Sequence, residues 1–188
     1  FNADEASLDD SYQAMAQAYR NIFKRCGLPV LMAEADSGAI GGKDSHEFLL
    51  ATDTGEDTVI TCSSCDYTAN AEKAESTIPK VASEPEQALE EIATPGLKTI
   101  AALAEFLNVP ESQTLKAVFY MSDGEPVFVT IRGDLDVNEV KLKNALHSRE
   151  LRLAEDHEVQ AAGLVAGSAS AIGITGIKRV ADVSIKNG

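Results

Sequence analysis

Four stretches of the chain hold residue types that could do chemistry. Cys62-Ser-Ser-Cys65 has the spacing of half a tetrahedral zinc site. A closed structural site needs four ligands. Cys26 and His46 could in principle supply two more, but no spacing brings them near, so the pattern predicts no stoichiometric zinc. No helix start follows the pair to lower a thiol pKa, which argues against a thioredoxin-like role. Lys116 stands inside the apolar run Leu115-Lys-Ala-Val-Phe-Tyr120. It is either a charge guarding a strand edge or an ammonium held in a pocket for the anionic end of a ligand. Residues 163–176 contain four glycines with Ser168 and Ser170. Such a run can bring backbone N–H groups up to a phosphate or an oxyanion, or it can be a plain flexible loop. His46 and Glu47 adjoin, behind the turn glycines Gly38, Gly41 and Gly42. On a strand, neighbours point to opposite faces, so the two do not read as one acid–base pair; His46 can equally be a packing histidine. No Ser-His-Asp pattern, phosphate loop or H-E-x-x-H occurs.

These residues must be positioned by an α+β set of elements. A first helix is expected from an N-cap at Ser7, with Asp9 and Asp10 in its first turn. Leu8, Tyr12, Met15, Tyr19, Ile22 and Phe23 recur at helical spacing, and Cys26-Gly27 with Pro29 ends the run. Strands are expected over 30–34, 47–52 and 59–62, antiparallel and forming part of a larger sheet. From 66 to 91 the chain loses its apolar period and turns acidic, with Pro79 and Pro85. This reads as a linker that divides the chain into 1–78 and 79–188. Beyond it come a helix over 99–107 with Thr99 as N-cap, then strands 115–121 and 127–131 around the hairpin signal Ser122-Asp-Gly-Glu125. A helix over 137–146, a stretch of small residues over 159–174 and a last strand over 180–185 complete the pattern.

With 188 residues the chain can bury a core without disulfides or a metal. No apolar run approaches the roughly 20 residues of a membrane span, and no signal peptide is visible. Three cysteines make no disulfide framework, so a reducing cytoplasm is expected. Phe1 reads as an internal cut in a longer protein. The net charge of −14 argues against a general nucleic-acid surface. It is uneven, however: residues 1–94 carry 6 Lys/Arg against 18 Asp/Glu, and residues 95–188 carry 10 against 12. Phosphate contact, if any, belongs to the second half; the acidic half can simply be a solvated face.

Taken in order, three groups of residues resemble a known family. They are Asp36-Ser-Gly-Ala-Ile-Gly-Gly-Lys-Asp-Ser-His46-Glu47-Phe48, then Cys62 to Cys65 continuing through Asn70 and Lys73, then Thr114-Leu-Lys116 with Ile131-Arg-Gly-Asp134 and Asn138-Glu-Val-Lys141. The order and length of this pattern resemble bacterial-type prolyl-tRNA synthetases, where the class II catalytic core runs into an inserted editing domain. The resemblance implies an α+β fold. Residues 1–78 would be a piece of the class II antiparallel sheet. Residues 79–188 would be a mixed-sheet editing domain of the synthetase-insertion or aminoacyl-tRNA deacylase type. It implies hydrolysis of alanyl-tRNA(Pro), because a proline pocket rejects the smaller alanine by only about 1–3 kcal/mol per missing methylene. Lys116, Gly167 and Ser168 are then the expected catalytic residues. Asp182, Arg132, Asp134, His46 and Glu47 are the expected substrate contacts, the last two on the proline-binding side of the core.

Editing would need no cofactor, whereas the parent ligase would use ATP and magnesium. The expected partners are the acceptor end of tRNA(Pro), proline and ATP, with a homodimeric parent and no membrane. This chain alone is not expected to activate proline, since the upstream class II motifs and the downstream ATP-binding motif are missing. The family loop Gly-x-x-x-Pro reads Gly167-Ser-Ala-Ser-Ala171 here, without the proline that would stiffen it. A free-standing deacylase, or a non-catalytic module of the same fold that binds tRNA or a partner, is the alternative.

Overall fold

The computed structural model describes residues 2–38, 41–42, 44–81, 88–165, 167 and 169–187. The chain divides into two compact units, Phe1–Ser76 and Thr77–Gly188. Each contains a mixed four-stranded sheet, with one described helix in the first unit and several in the second, an α+β arrangement in both cases.

The first unit opens with α1 (Glu5–Arg25). Its N-cap is Asp4 and not Ser7. Asp4 Oδ1 accepts the Ser7 N–H at 2.8 Å, and Ser7 Oγ in turn accepts the Asp4 N–H at 3.2 Å. Both residue types cap well, and this reciprocal box makes Ser7 the third helical residue, leaving Asp4 the cap. The Asp4 carboxyl is held below its usual range by the Ser7 N–H. The helix closes when the Leu28 N–H reaches the Phe23 carbonyl at 2.9 Å. Strand β1 (Val30–Glu34) pairs antiparallel with β2 (His46–Leu50), and β3 (Val59–Thr61) with β4 (Thr68–Asn70). β1 and β4 meet in parallel at Glu34 and Ala69, giving the order β2-β1-β4-β3. The sheet is therefore mixed and not wholly antiparallel. β4 also falls inside the stretch read as linker from Asp66. Three residues of Thr-Ala-Asn are too short to show a period, yet Ala69 and Ala33 at the centre are fully buried. Phe48 receives the rings of Tyr19 and Phe23 from α1, at 5.4 and 5.5 Å between centroids.

The second unit begins its regular structure with α2 (Ile100–Leu107), capped by Thr99 Oγ1 on the Ala102 N–H at 3.2 Å. A 3-10 turn over Glu111–Gln113 leads into β5 (Leu115–Ser122), which pairs in full register with β6 (Glu125–Arg132). Between them Asp123 and Gly124 take φ of 49° and 85°. Two left-handed residues make the turn whose twist matches a hairpin, and Asp-Gly is the sequence that tolerates it. The Asp123 carboxylate also accepts the Glu150 and Arg149 N–H groups, at 2.8 and 3.0 Å, and these bonds pull its pKa down.

That tether brings in β7 (Leu151–Leu153), antiparallel to β5. Helix α3 (Glu139–Leu146) precedes it, and α4 (Asp156–Ala161) follows. β8 (Lys178–Ala181) lies parallel to β6, so the order is β7-β5-β6-β8. β7 and α4 had no counterpart among the expected elements. A three-residue strand and a six-residue helix carry almost no period of their own. α4 is held instead by Glu158, which accepts the Glu155 N–H at 2.9 Å and takes a fork of bonds from Arg152. The last strand stops at Ala181, where 180–185 was expected, because Asp182 Oδ1 accepts the Ser184 N–H at 2.8 Å and turns the chain into a 3-10 segment.

Alternation along the hairpin separates two cores. Phe119 and Phe128 face Val159 and Ile174, with Ala117, Leu164 and Ala169 around them. Tyr120, Val127 and Val129 face Leu142 of α3, with Val118 and Val180 beside them. Gly133, just past β6, is a glycine for want of room. A Cβ there would lie 2.0 Å from Thr114 Oγ1, 2.7 Å from the Glu111 carbonyl oxygen and 2.9 Å from Ile100 Cγ2. Gly133→Ala is therefore expected to destabilise the second unit by about 1–3 kcal/mol through overpacking, measured by denaturant unfolding. An unchanged midpoint would mean that α2 and the 3-10 turn yield freely.

Candidate functional site

Four of the residues singled out in the second unit collect at one end of its sheet. Arg132 ends β6 and is almost wholly buried, at 5% exposure. Its Nε and Nη2 donate to the two oxygens of Asp134 at 2.6 and 3.0 Å, and its Nη1 donates to the Pro79 carbonyl at 2.9 Å. The guanidinium fork fits the carboxylate in two parallel bonds. The Asp134 carboxyl is held below its ordinary range, first by these bonds and with a further contribution from the charge of Lys116. The charge of Asp182 in turn adds to the field that holds Arg132 protonated. Arg132 and Asp134 thus satisfy one another and brace the turn that follows β6.

Lys116, second in β5, donates from Nζ to the Leu135 carbonyl at 2.8 Å and to Asp136 Oδ1 at 2.7 Å. Its side chain is 28% exposed, and that of Asp136 is 96% exposed. β7 covers only residues 120–122 of β5, so at Lys116 the strand has β6 on one side and, among the described residues, no ladder partner on the other. The strand-edge reading is compatible with this position, but the ammonium is drawn into the 135–136 turn.

Asp182 follows β8; its N–H donates to the Thr130 carbonyl at 2.9 Å. Ser184 is fully buried, and its hydroxyl finds no partner among the described residues. Thr114, Thr130, Arg132 and Ser184 are the buried polar residues described in this unit. Thr130 could have been noticed as the lone hydroxyl in the run 127–131. Thr114 and Ser184 carry no such signal.

The glycine-rich stretch belongs to the other face of the sheet. Leu164, Ala169 and Ile174 pack with Phe119 and Phe128, whereas Lys116 alternates with Val118 and Tyr120 toward α3. Gly167 has φ of 78°; Ser168 lies outside the described residues. Leu164 and Ala169, on either side of Gly167 in the chain, pack on the Phe119 face, whereas Lys116 has the parity of the α3 face.

His46 and Glu47 lie in the first unit and take different partners. His46 Nδ1 is 2.8 Å from the Tyr12 hydroxyl, and Glu47 Oε2 accepts from Asn70 Nδ2 at 3.3 Å. Burial, with the charge of Asp44, pushes the Tyr12 phenol up. Glu34, Asp36, Asp44, His46 and Lys73 line a polar cavity of about 200 Å³. Among the described residues no three His, Cys, Asp or Glu side chains are grouped to hold a metal, and no helix is long and apolar enough to cross a membrane.

With a mixed sheet, two helical faces and this charged corner in place, the chain belongs to the aminoacyl-tRNA editing domain family, whose model matches residues 94–188. Several of its curated relatives are proline–tRNA ligases. The proline–tRNA ligase of Dehalococcoides mccartyi is 56% identical over 191 residues, covering 100% of this chain and 33% of its own length. Those of Nitratidesulfovibrio vulgaris and Citrifermentans bemidjiense are 46% and 45% identical, each covering 99% of this chain and 33% of the relative. The chain thus spans about a third of the relatives it matches. A solved structure of the hypothetical protein APE2540 is 27% identical and covers 46% of this chain and 59% of its own, with a TM-score of 0.40.

The Arg132–Asp134 pair sets a pH dependence. A carboxyl whose folded pKa is depressed contributes stability above its unfolded value, near about 3.9, and loses it as the pH falls through the folded value. Asp134→Asn is expected to lower the Tm of the chain at about pH 7 and to approach wild type as the pH is brought well below about 3.9. A gap that is constant with pH would show that the pair contributes no charge-dependent stability.

Proposed function

We propose that the second unit hydrolyses mischarged alanyl-tRNA(Pro), within a longer protein that attaches proline to tRNA(Pro) using ATP and magnesium. The observation that carries this reading is the editing-family match over 94–188 in a chain whose relatives, along both units, are proline–tRNA ligases. Matches that run through the first unit weigh against a free-standing deacylase. They also support assigning residues 1–78 to part of the class II core, with His46, which lines the polar cavity, and Glu47 on its proline-binding side. Among the described residues no three His, Cys, Asp or Glu side chains are grouped to hold magnesium. The homodimer and the cytoplasmic setting belong to the longer protein.

Ester hydrolysis needs an activated water and donors aimed at the developing oxyanion. Backbone amides around Gly167 and Ser168 are assigned the oxyanion, and the substrate's own hydroxyl is a candidate for activating the water. Lys116 is assigned the phosphate or ribose of the tRNA end, where it would exchange Asp136 for the substrate. The two groups approach from opposite faces, so the ester would lie across the strand ends where Asp182 stands. Arg132 and Asp134, facing each other, act here by holding the 133–136 turn against the strand ends. Ala171, in place of the family's loop proline, favours the second reading, a module that binds tRNA without hydrolysing it.

Single-turnover deacylation of alanyl-tRNA(Pro) separates these readings. Lys116→Ala is expected to cost about 1.5–3 kcal/mol, roughly ten- to a hundredfold in rate, with stability within about ±0.5 kcal/mol. Unchanged hydrolysis would return Lys116 to a structural role. Binding of tRNA without turnover by wild type would establish the non-catalytic module.

A further inference from the structure

The Cys62-x-x-Cys65 pair takes no part in any step above, and its surroundings give it a chemistry of its own. Both cysteines lie in the loop of residues 62–67 that joins β3 to β4. The Cys62 N–H closes that loop on the Tyr67 carbonyl at 2.9 Å, and the Tyr67 hydroxyl is fixed by accepting the Glu75 N–H at 3.0 Å. Within the loop the chain turns back, so that the Ser64 N–H donates to Cys62 Sγ at 3.4 Å. Cys65 follows one residue later, within the same bend. Both thiols are exposed, and no third metal-binding side chain stands with them among the described residues. Two adjacent, accessible sulfurs without further ligands suit two-electron thiol chemistry better than a closed metal site.

We propose that Cys62 and Cys65 form a reversible dithiol–disulfide site that exchanges with low-molecular-weight disulfides. Cys62 is the attacking thiol and Cys65 the resolving one. The Ser64 N–H foremost, then the Cys65 thiol and N–H, hold the Cys62 thiol below its ordinary pKa, so backbone donors of a turn do what a helix start does elsewhere. The Cys62 thiolate attacks one sulfur of an external disulfide R–S–S–R. The S–S bond breaks, Cys62–S–S–R forms, and R–S⁻ leaves and takes up a proton. Cys65, losing its proton, then attacks Cys62 Sγ and expels the second R–S⁻. The protein dithiol is oxidised by two electrons, and R–S–S–R is reduced to two R–SH. The product ties the β3–β4 loop across its own turn, next to β4, which sits inside the first sheet. Cys26, also exposed but at the end of α1, has no cysteine within the following few residues and stops at the mixed disulfide.

The test equilibrates the reduced chain with mixtures of reduced and oxidised glutathione, traps it with an alkylating agent and maps it by mass spectrometry. The expected result is a species lacking two hydrogens, linked between Cys62 and Cys65, that forms at a lower oxidised fraction than the glutathione adduct on Cys26 and is reversed by dithiothreitol. Cys65→Ser should convert the link into a glutathione adduct on Cys62, and Cys62→Ser should abolish it. Phenylarsine oxide, which needs two close thiols, should bind wild type one to one and neither variant. Separate adducts on Cys62 and Cys65 with no link, or equal arsenical binding by wild type and variants, would overturn the proposal.

Discussion

A guanidinium taken out of water must be met by acceptors on nearly every side, because its uncompensated burial is among the costliest defects a fold can carry. Arg132 imposes that demand at the end of β6, and the second unit is arranged around meeting it. Asp134, two residues on, supplies both oxygens, which requires a tight reversal immediately after the strand. Gly133 makes the reversal and gives its N–H to the Thr114 carbonyl at 2.8 Å, so close that no side chain fits between them. The third acceptor is the Pro79 carbonyl, which binds the segment leading into the unit to the same corner. Lys116 then fastens the next two residues, Leu135 and Asp136, before α3 begins. Two cations thus organise the start of β5, the end of β6, the 133–136 turn and the incoming chain.

How much of this could be read in the sequence depended on whether a signal was local. Asp123-Gly124, Thr99 and the apolar runs 115–121 and 127–131 each encode their structure within a few residues, and the hairpin and α2 follow from them. β4 and β7 are specified by distant partners, Ala69 by β1 and β3 and β7 by the Asp123 carboxylate, and α4 by the side-chain pair of Arg152 and Glu158. Segments of three to six residues cannot carry a period, so no local reading finds them. Asp4 and Ser7 both have capping chemistry, and only their mutual bonds decide between them.

The candidate site was legible in a different way. Residue types and motif order pointed to Lys116, Arg132, Asp134 and Asp182, and these do share one end of a sheet. Their division of labour was not visible, because it turns on which face each side chain takes and on what else is within reach. Parity along β5 puts Lys116 toward α3 and away from the segment after Gly163. Burial makes Arg132 and Asp134 a closed pair. Ser184, buried just beyond Asp182 with a hydroxyl unengaged among the described residues, had no sequence signal at all.

The two cations also differ in what they can give up, and that difference decides which of them would meet a tRNA end under the proposed function. Releasing Asp134 would leave Arg132 as a buried charge with one acceptor, so a substrate phosphate would have to replace a bidentate partner and restore the turn as well. Releasing Asp136 returns a carboxylate that is already almost fully in water. Exposed ion pairs contribute only about 0–1 kcal/mol, so a phosphate or ribose oxygen can displace Asp136 from Lys116 at little cost while the Leu135 carbonyl continues to aim the ammonium. A chain with a net charge of −14 offers no broad attraction to nucleic acid. What it can offer is a cation that is held in place, partly desolvated and only lightly committed to its present partner, and in this corner Lys116 meets that description where Arg132 does not.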